Sequence, residues 1–551
     1  MPNDTLPGPT DDSTLASARH RLAARVLRGT LWSMLGIAAL GLTRLVYTAL
    51  IGRTGDPARL AEINAQVSLA FFGTFATAAA TGAGAAKFLP IAMSRWGPAA
   101  ALSVRRKLSL WTLAGTAVVV ALLAVIGRWV LLGAGWLDVA TVCALTAAYS
   151  AYSFAKSVLY GYHLARRYAV LEVSADAAIL ALTAAALVWA PPQWRAVLVL
   201  PLVIGYAGFA LAANVSTRHE HPQPGKGSGP GEHAGPGEYP RPGEHAGPRI
   251  AGRSRREPMP PLGAELGGFV AFSALGIAAG QGFFQLSMVV AGHTASSAEA
   301  GVYAAAMSLV APAFFLPRAL ALAFFPAAAE AVGRGEGAAL AKHTATVTRV
   351  LALGMLPAFT LAAMLGGPLL GLVFGRSYAS GGAVFAILVL AVLLYVIAVP
   401  SVNVLSAYDL VLARIPPLAS TAGVVVGGLT WFAVSPRLGA TGIAVGYLAG
   451  MVVQAGVPVV VAFRRLGLAR VGPMVRYAAT GGTGIALAGV AVAIPHAAVV
   501  AGSAVLFGVV FALLEGREVA RTVRRVRRLT TATRPRNSDQ DSVPVQVTDT
   551  A

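Results

Sequence analysis

Among the cationic residues inside long apolar runs of this 551-residue chain are Arg44, Lys87, Lys156 and Arg318. A charge at the centre of a membrane helix costs about 2.5–3.5 kcal/mol, so each of them needs a cavity or a partner. Arg44 shares a helical face with Gly41 and Thr48. A guanidinium in that stripe offers a planar fork that grips pyrophosphate or acidic-sugar oxygens bidentately. A structural ion pair, or a side chain snorkelling to the interface, fits the same spacing. Arg318 follows Pro312 and Pro317, where loosened backbone suits a bend beside a solvated cavity. Lys87 comes after Thr74, Thr77 and Thr81 and is read either as a cavity residue or as an interface anchor. Gln281 and Gln285, one turn apart, suit sugar hydroxyls or interhelical hydrogen bonds equally well. Glu172 and Asp176, also one turn apart, are a candidate proton-coupling pair. The favoured reading makes them partners of Lys156 on the neighbouring run.

The elements that must position these residues are set by composition. The chain is 56% hydrophobic and only 12% charged, about half the charge of a soluble protein, with a mean hydropathy of +0.67. Lipid is the solvent that this composition requires, which excludes a soluble enzyme and a fibrous protein. Cys143 is alone, which excludes a disulfide scaffold. The net charge of +20 does not signal nucleic acid, because Lys and Arg fall between apolar runs and not on one folded domain.

A membrane helix needs about 20 apolar residues, and fourteen runs qualify: 30–51, 66–90, 108–131, 138–161, 169–190, 196–215, 264–291, 301–326, 350–374, 381–401, 416–435, 440–463, 474–494 and 498–514. Barrel strands are half that length and alternate in polarity. The expected fold is all-α and polytopic. Pro400, Pro416 and Pro417 predict a kink or a short break. Of the 43 Lys and Arg residues, only Arg53, Arg59, Arg195, Arg376 and Arg437 fall in odd-numbered loops, with Arg128 beside them at the end of its run. The positive-inside rule then places both termini in the cytoplasm, as an even span count demands. No cleavable signal is apparent, so the first span is expected to stay as an anchor. Abundant Arg and Ala point to a high-GC bacterial plasma membrane.

The organisation reads as a partly amphipathic N-terminal segment (1–29), a first lobe of six spans (30–215), a linker (216–262), a second lobe (263–463), two further spans (464–514) and a basic tail (515–551). The linker is rich in Pro, Gly and charge and contains Pro-Gly-Glu-His-Ala-Gly-Pro at 230–236 and again at 242–248. Such a segment is expected to be disordered and cytoplasmic, and His233 and His245 read as repeat expansion, not as metal ligands. In the tail, Arg517, Arg521, Arg524, Arg525 and Arg528 recur at helical spacing opposite Val519, Val523 and Val526. That pattern fits either a basic helix on anionic lipid or ordinary topology-setting charge. The loops leave no room for a soluble catalytic domain. Walker A, H-E-x-x-H, G-x-S-x-G and C-x-x-C sequences are absent, so an enzyme is not expected and no cofactor is implied.

Several local patterns in order are similar to one family. They are Ala-Leu-Ile-Gly-Arg-Thr-Gly at 49–55, the turn from Ser157-Val-Leu-Tyr-Gly-Tyr-His to Glu172-Val-Ser-Ala-Asp176, and Ala300-Gly-Val-Tyr-Ala-Ala-Ala306 with Phe325-Pro326. Val373-Phe-Gly-Arg-Ser-Tyr378 and Leu438-Gly-Ala-Thr-Gly-Ile-Ala444 complete the set. Together, over roughly residues 29–515, the chain resembles the flippases of the multidrug/oligosaccharidyl-lipid/polysaccharide (MOP) superfamily, which export lipid II, O-units and capsule precursors. The resemblance implies two six-helix lobes around a central cavity, two extra C-terminal helices, and alternating access for a lipid-linked sugar. Many members carry an acidic residue midway along helix seven, where this chain reads Gln281-Gly-Phe-Phe-Gln285-Leu-Ser287. Carboxylate coupling at that position is therefore not expected.

The reading is a flippase for a polyprenyl-pyrophosphate-linked oligosaccharide or cell-wall precursor. Arg44, Thr48, Lys87, Gln281, Gln285 and Arg318 are its candidate cavity residues, and Glu172 and Asp176 its candidate coupling pair. The lipid-linked sugar, membrane lipids and glycan-biosynthesis enzymes are the expected partners. The rival is a cation-coupled exporter of drugs or other amphiphiles on the same fold. A polymerase or ligase would need a sizeable external loop, and a non-transporting scaffold would tolerate the loss of every cavity charge.

Overall fold

The computed structural model describes residues 12–131, 135–189, 195–218, 263–314, 324, 328, 331–332, 336–408, 410–465, 467 and 471–532. The linker repeats, Arg318, Pro326 and the chain beyond 532 lie outside the described residues.

Every regular element described is helical. The first bundle comprises α1 (Asp12–Thr54), α2 (Pro57–Phe75), α3 (Ala78–Trp96), α4 (Pro98–Val130), α5 (Trp136–Gly161), α6 (Ala165–Trp189) and α7 (Leu200–Arg218). The second comprises α8 (Gly263–Thr294), α9 (Ser297–Val310), α10 (Gly337–Met364), α11 (Gly366–Phe374), α12 (Gly382–Ala407), the short α13 (Leu410–Ala413) and the long α14 (Ile415–Arg465). A final pair, α15 (Val471–Ala493) and α16 (Ala497–Ala532), follows. Nine described helical segments are long and apolar enough to cross a membrane, and the bent α2–α3 pair makes a tenth. The chain is a multi-pass membrane protein.

Helix starts follow local chemistry. Asp56 caps α2, accepting from the Arg59 amide at 2.7 Å, with Pro57 inside the first turn. Ser296 and Glu299 form a capping box on α9. Pro416 and Pro417 fall in the first turn of α14, where missing amide hydrogens cost nothing, while Pro400 is carried inside an unbroken α12. The short break expected near these prolines lies just before Pro416 and Pro417, between Ala407 and Ile415, while none occurs at Pro400.

One break was not visible in the apolar runs, and a second falls where two of the runs part, between 435 and 440. The run 66–90 is bent by 45° between α2 and α3. Thr74 and Thr81 donate their hydroxyls to carbonyls four residues earlier, at 3.1 and 3.2 Å, and such back-bonding bends helices. Those hydroxyls also reach neighbouring helices, Thr74 to Ser150 at 3.2 Å and Thr81 to Thr112 at 2.6 Å. In α14 the break falls at Gly439, whose φ of 52° favours a residue without Cβ. The basic C-terminal stretch is not a separate element: α16 continues without interruption to Ala532.

Within the first bundle α6 packs on α1, and α5 on α2, α3, α4 and α7; within the second, α14 packs on α8 and α12. The bundles meet along α2 and α3 against α8 and α9, with α1 touching α9 and α11. The final pair leans on α10.

Candidate functional site

The seam between the bundles holds a cavity lined by Arg44 and Thr48 from α1, Asn64 and Ser68 from α2, Phe284 and Gln285 from α8, and Met307, Ser308 and Ala311. Its volume is about 20 Å3, room for a water or so, so the bundles are closed on each other here. Arg44 reaches this space because Thr43 and Tyr47, its neighbours on α1, are buried and turn the guanidinium toward α2. Its Cζ lies 4.4 Å from the centroid of Phe71, a cation–π contact that holds the side chain and leaves its N–H edge free to donate. Thr48 spends its hydroxyl on the Arg44 carbonyl at 2.9 Å, so it shapes the wall while its oxygen can still accept.

Gln285 is 5% exposed, and its Oε1 has no partner among the described residues. A buried acceptor left open costs about 1–3 kcal/mol, so a donor from water or cargo belongs there. Asn64 gives its amide to the Leu60 carbonyl at 3.2 Å. The cavity thus combines one cation, an aromatic face and several neutral hydrogen-bonding groups.

The other candidate residues are elsewhere. Gln281 is exposed and does not line the cavity. Lys87 lies at the far end of the seam, its Nζ 4.3 Å from the centroid of Phe269 on α8 and 5.1 Å from that of Phe88. Asn64, Ser68 and Ser308 were not singled out by sequence. Asn64 and Ser68 are spaced as one helical face, a pattern that marks them in an otherwise apolar stretch.

A second cluster sits inside the first bundle. Glu172 and Asp176 are 1% and 5% exposed, on the face of α6 that packs against α1. Tyr152 donates to Glu172 Oε1 at 2.6 Å, and Lys156 donates to the Tyr152 hydroxyl at 3.2 Å. Thr43, next to the cavity arginine, hydrogen-bonds Asp176. Around them stand Phe71, Tyr149, Tyr206 and Phe209, with Tyr149 stacked on Phe71 at 3.8 Å. Phe71 is therefore common to both clusters. Lys156 thus reaches Glu172 through the Tyr152 hydroxyl, and the two carboxylates and the lysine fall in one cluster.

Among solved structures, the lipid II flippase MurJ in an inward closed conformation matches with a TM-score of 0.60 at 10% identity, covering 89% of this chain and 99% of that one. The fold is that of the MOP transporters. An inward-facing multidrug resistance MATE family transporter of the MOP superfamily matches at TM-score 0.55 and 13% identity, covering 81% of this chain and 98% of its own. A MATE in complex with Br-NRF matches at 0.52 and 14%, covering 81% and 96%. At such identities the likeness carries the MOP fold alone. No protein-family description and no curated protein matches the sequence.

Proposed function

We propose that the protein is a flippase that carries a lipid-linked, pyrophosphate-bearing oligosaccharide across a bacterial plasma membrane, both termini being cytoplasmic. The observation that carries this reading is the seam cavity, where the Arg44 guanidinium faces neutral hydrogen-bonding groups and the open Gln285 acceptor. Pyrophosphate oxygens complement the first and sugar hydroxyls the second. Arg318, expected on the same cavity, is proposed as an accessory cation. Opening one end of the seam at a time would expose the cavity to each leaflet in turn.

Each charge-assisted bond from Arg44 contributes about 1.5–3 kcal/mol, and about 3 kcal/mol is roughly a hundredfold in affinity. Arg44→Ala should therefore lower translocation of a lipid-linked sugar about a hundredfold per inserted molecule, at unchanged abundance. Arg44→Lys should recover part of it, because an ammonium keeps the charge but not the fork. Wild-type specific activity in the Ala variant would sink the reading.

A specific observation favours the rival, a cation-coupled exporter of amphiphiles. The carboxylates of Glu172 and Asp176 are buried beside Lys156 and one residue from Arg44 through Thr43. Efflux of a cationic dye that vanishes in Asp176→Asn but survives Arg44→Ala would select it.

A further inference from the structure

The seam is closed at both ends, and by different chemistry. At the Lys87 end the seal is aromatic: Phe88 meets Phe269 edge-on at 5.6 Å against the Lys87 ammonium, and Gly84 lies against Val270. At the opposite end, where α1 finishes, the seal is a polar cap. Arg53 Nε donates to the Val373 carbonyl at 2.8 Å, and its Nη2 donates to the Leu372 carbonyl. These are the last carbonyls of α11, which has no further turn to satisfy them. Gly375 ends that helix with a φ of 113°, its amide returning to the Gly371 carbonyl at 3.1 Å. The two carbonyls after Gly371 are left pointing at α1, at the negative end of the helix dipole.

The neighbouring contacts show how close the two bundles come there. A Cβ on Gly52 would stand 2.9 Å from Phe374, and one on Gly301 would collide with the Pro57 carbonyl. The Arg53 side chain is nevertheless exposed. Water can replace its partners when the bundles part, so the contact is reversible in a way that a buried ion pair is not.

We infer that Arg53 is the latch of this mouth: it caps α11 across the bundle boundary when the mouth is shut and releases it when the mouth opens. The inference rests on the transport reading only in that the seam must open at alternate ends; it makes no use of the cargo. Arg53 thereby sets the ratio of closed to open states at one end and leaves the aromatic seal at the other untouched.

The test uses the full-length chain with Cys143→Ala, reconstituted in lipid nanodiscs without cargo. One spin-label pair, Thr54→Cys with Ser377→Cys, spans the Arg53 mouth; another, Ser94→Cys with Glu265→Cys, spans the opposite one. Arg53→Ala should raise the long-distance population at the Arg53 mouth about tenfold, equivalent to roughly 1.4 kcal/mol. Arg53→Lys, which keeps the charge but not the fork, should fall between Ala and wild type. If the Ala variant does not insert, the Lys variant decides alone, and a wild-type distribution in it overturns the latch. An unchanged Arg53 mouth in both variants, while the other mouth is seen to open, overturns the latch and leaves the transport reading standing. If neither mouth opens in any variant, the transport reading falls as well.

Discussion

The two bundles share a helical plan and solve their interiors differently. The first buries charge: Glu172 and Asp176 stand among Tyr152, Tyr206 and Lys156. Among the described residues of the second, the buried polar groups are neutral, such as Gln285, Ser401 and Gln454. Its centre is a stack of Phe283 on Trp431 at 4.8 Å, with Tyr447 beside them and the Trp431 indole donating to the Ile443 carbonyl at 2.9 Å. Glycines let the two halves of α14 approach until a Cβ on Gly423 would stand 2.5 Å from the Gly450 carbonyl. One bundle thus holds carboxylates and a lysine in its interior, and the other, among its described residues, an aromatic stack and close glycine contacts.

The largest expected effect strikes the charged interior. Lys156→Ala removes the half-buried cation that reaches the buried Glu172 through Tyr152, and the loss of a partner from a buried charge costs up to about 3–5 kcal/mol. The variant should melt well below wild type in detergent, and Lys156→Ala with Glu172→Gln should melt higher than Lys156→Ala alone. Additive losses in that double-mutant cycle would mean that the two residues do not interact, and the contrast between the bundles would lose its basis.

Next in size is the rigid interior. Gly446→Ala forces a methyl into the Trp431 indole, overpacking that costs about 1–3 kcal/mol. The loss should appear as a lowered melting temperature and altered Trp fluorescence, with no dependence on pH. A comparable substitution at Gly428, whose Cβ meets nothing within 4 Å, should be silent. Equal effects at the two glycines would remove close helix approach as the explanation.

Much of this was legible in the residues themselves. Long uniform apolar runs dictate membrane helices, and a charge inside one advertises a cavity or partner, which is how Arg44, Glu172 and Asp176 stood out. The bend at Ala76–Thr77 was not legible, because it comes from threonine hydroxyls turning back on the backbone within a run that stays apolar. Gln281 and Gln285 share an idealised face, yet only Gln285 reaches the cavity, since a spacing of four residues leaves the two about 40° apart around the helix. Arg53 was invisible for a stronger reason. It counted as an ordinary loop charge, and its partners are backbone carbonyls 319 and 320 residues away, which carry no side-chain signature.

The smallest expected effect tests whether burial, and not charge itself, separates the regions. At the ends of α10, α15 and α16, Glu518 bridges Arg349 at 3.0 Å and Arg476 at 3.2 Å. The carboxylate is 12% exposed, but its arginines are 37% and 41% exposed, so water screens the pairs and holding long side chains offsets part of the gain. Exposed pairs contribute about 0.2–1 kcal/mol. Glu518→Gln should therefore lower the melting temperature slightly, and the difference from wild type should shrink as salt is raised toward 1 M, where the Debye length is about 3 Å. The deficit of Lys156→Ala should hardly change over the same range, because ions do not enter a buried tyrosine-lined site. If Glu518→Gln proves as damaging as Lys156→Ala, or equally insensitive to salt, then the α15–α16 pair is held by a desolvated charge cluster of its own. The charged interior of the first bundle would then have a counterpart around Glu515, which is fully buried in the same pair and 4.0 Å from Arg476.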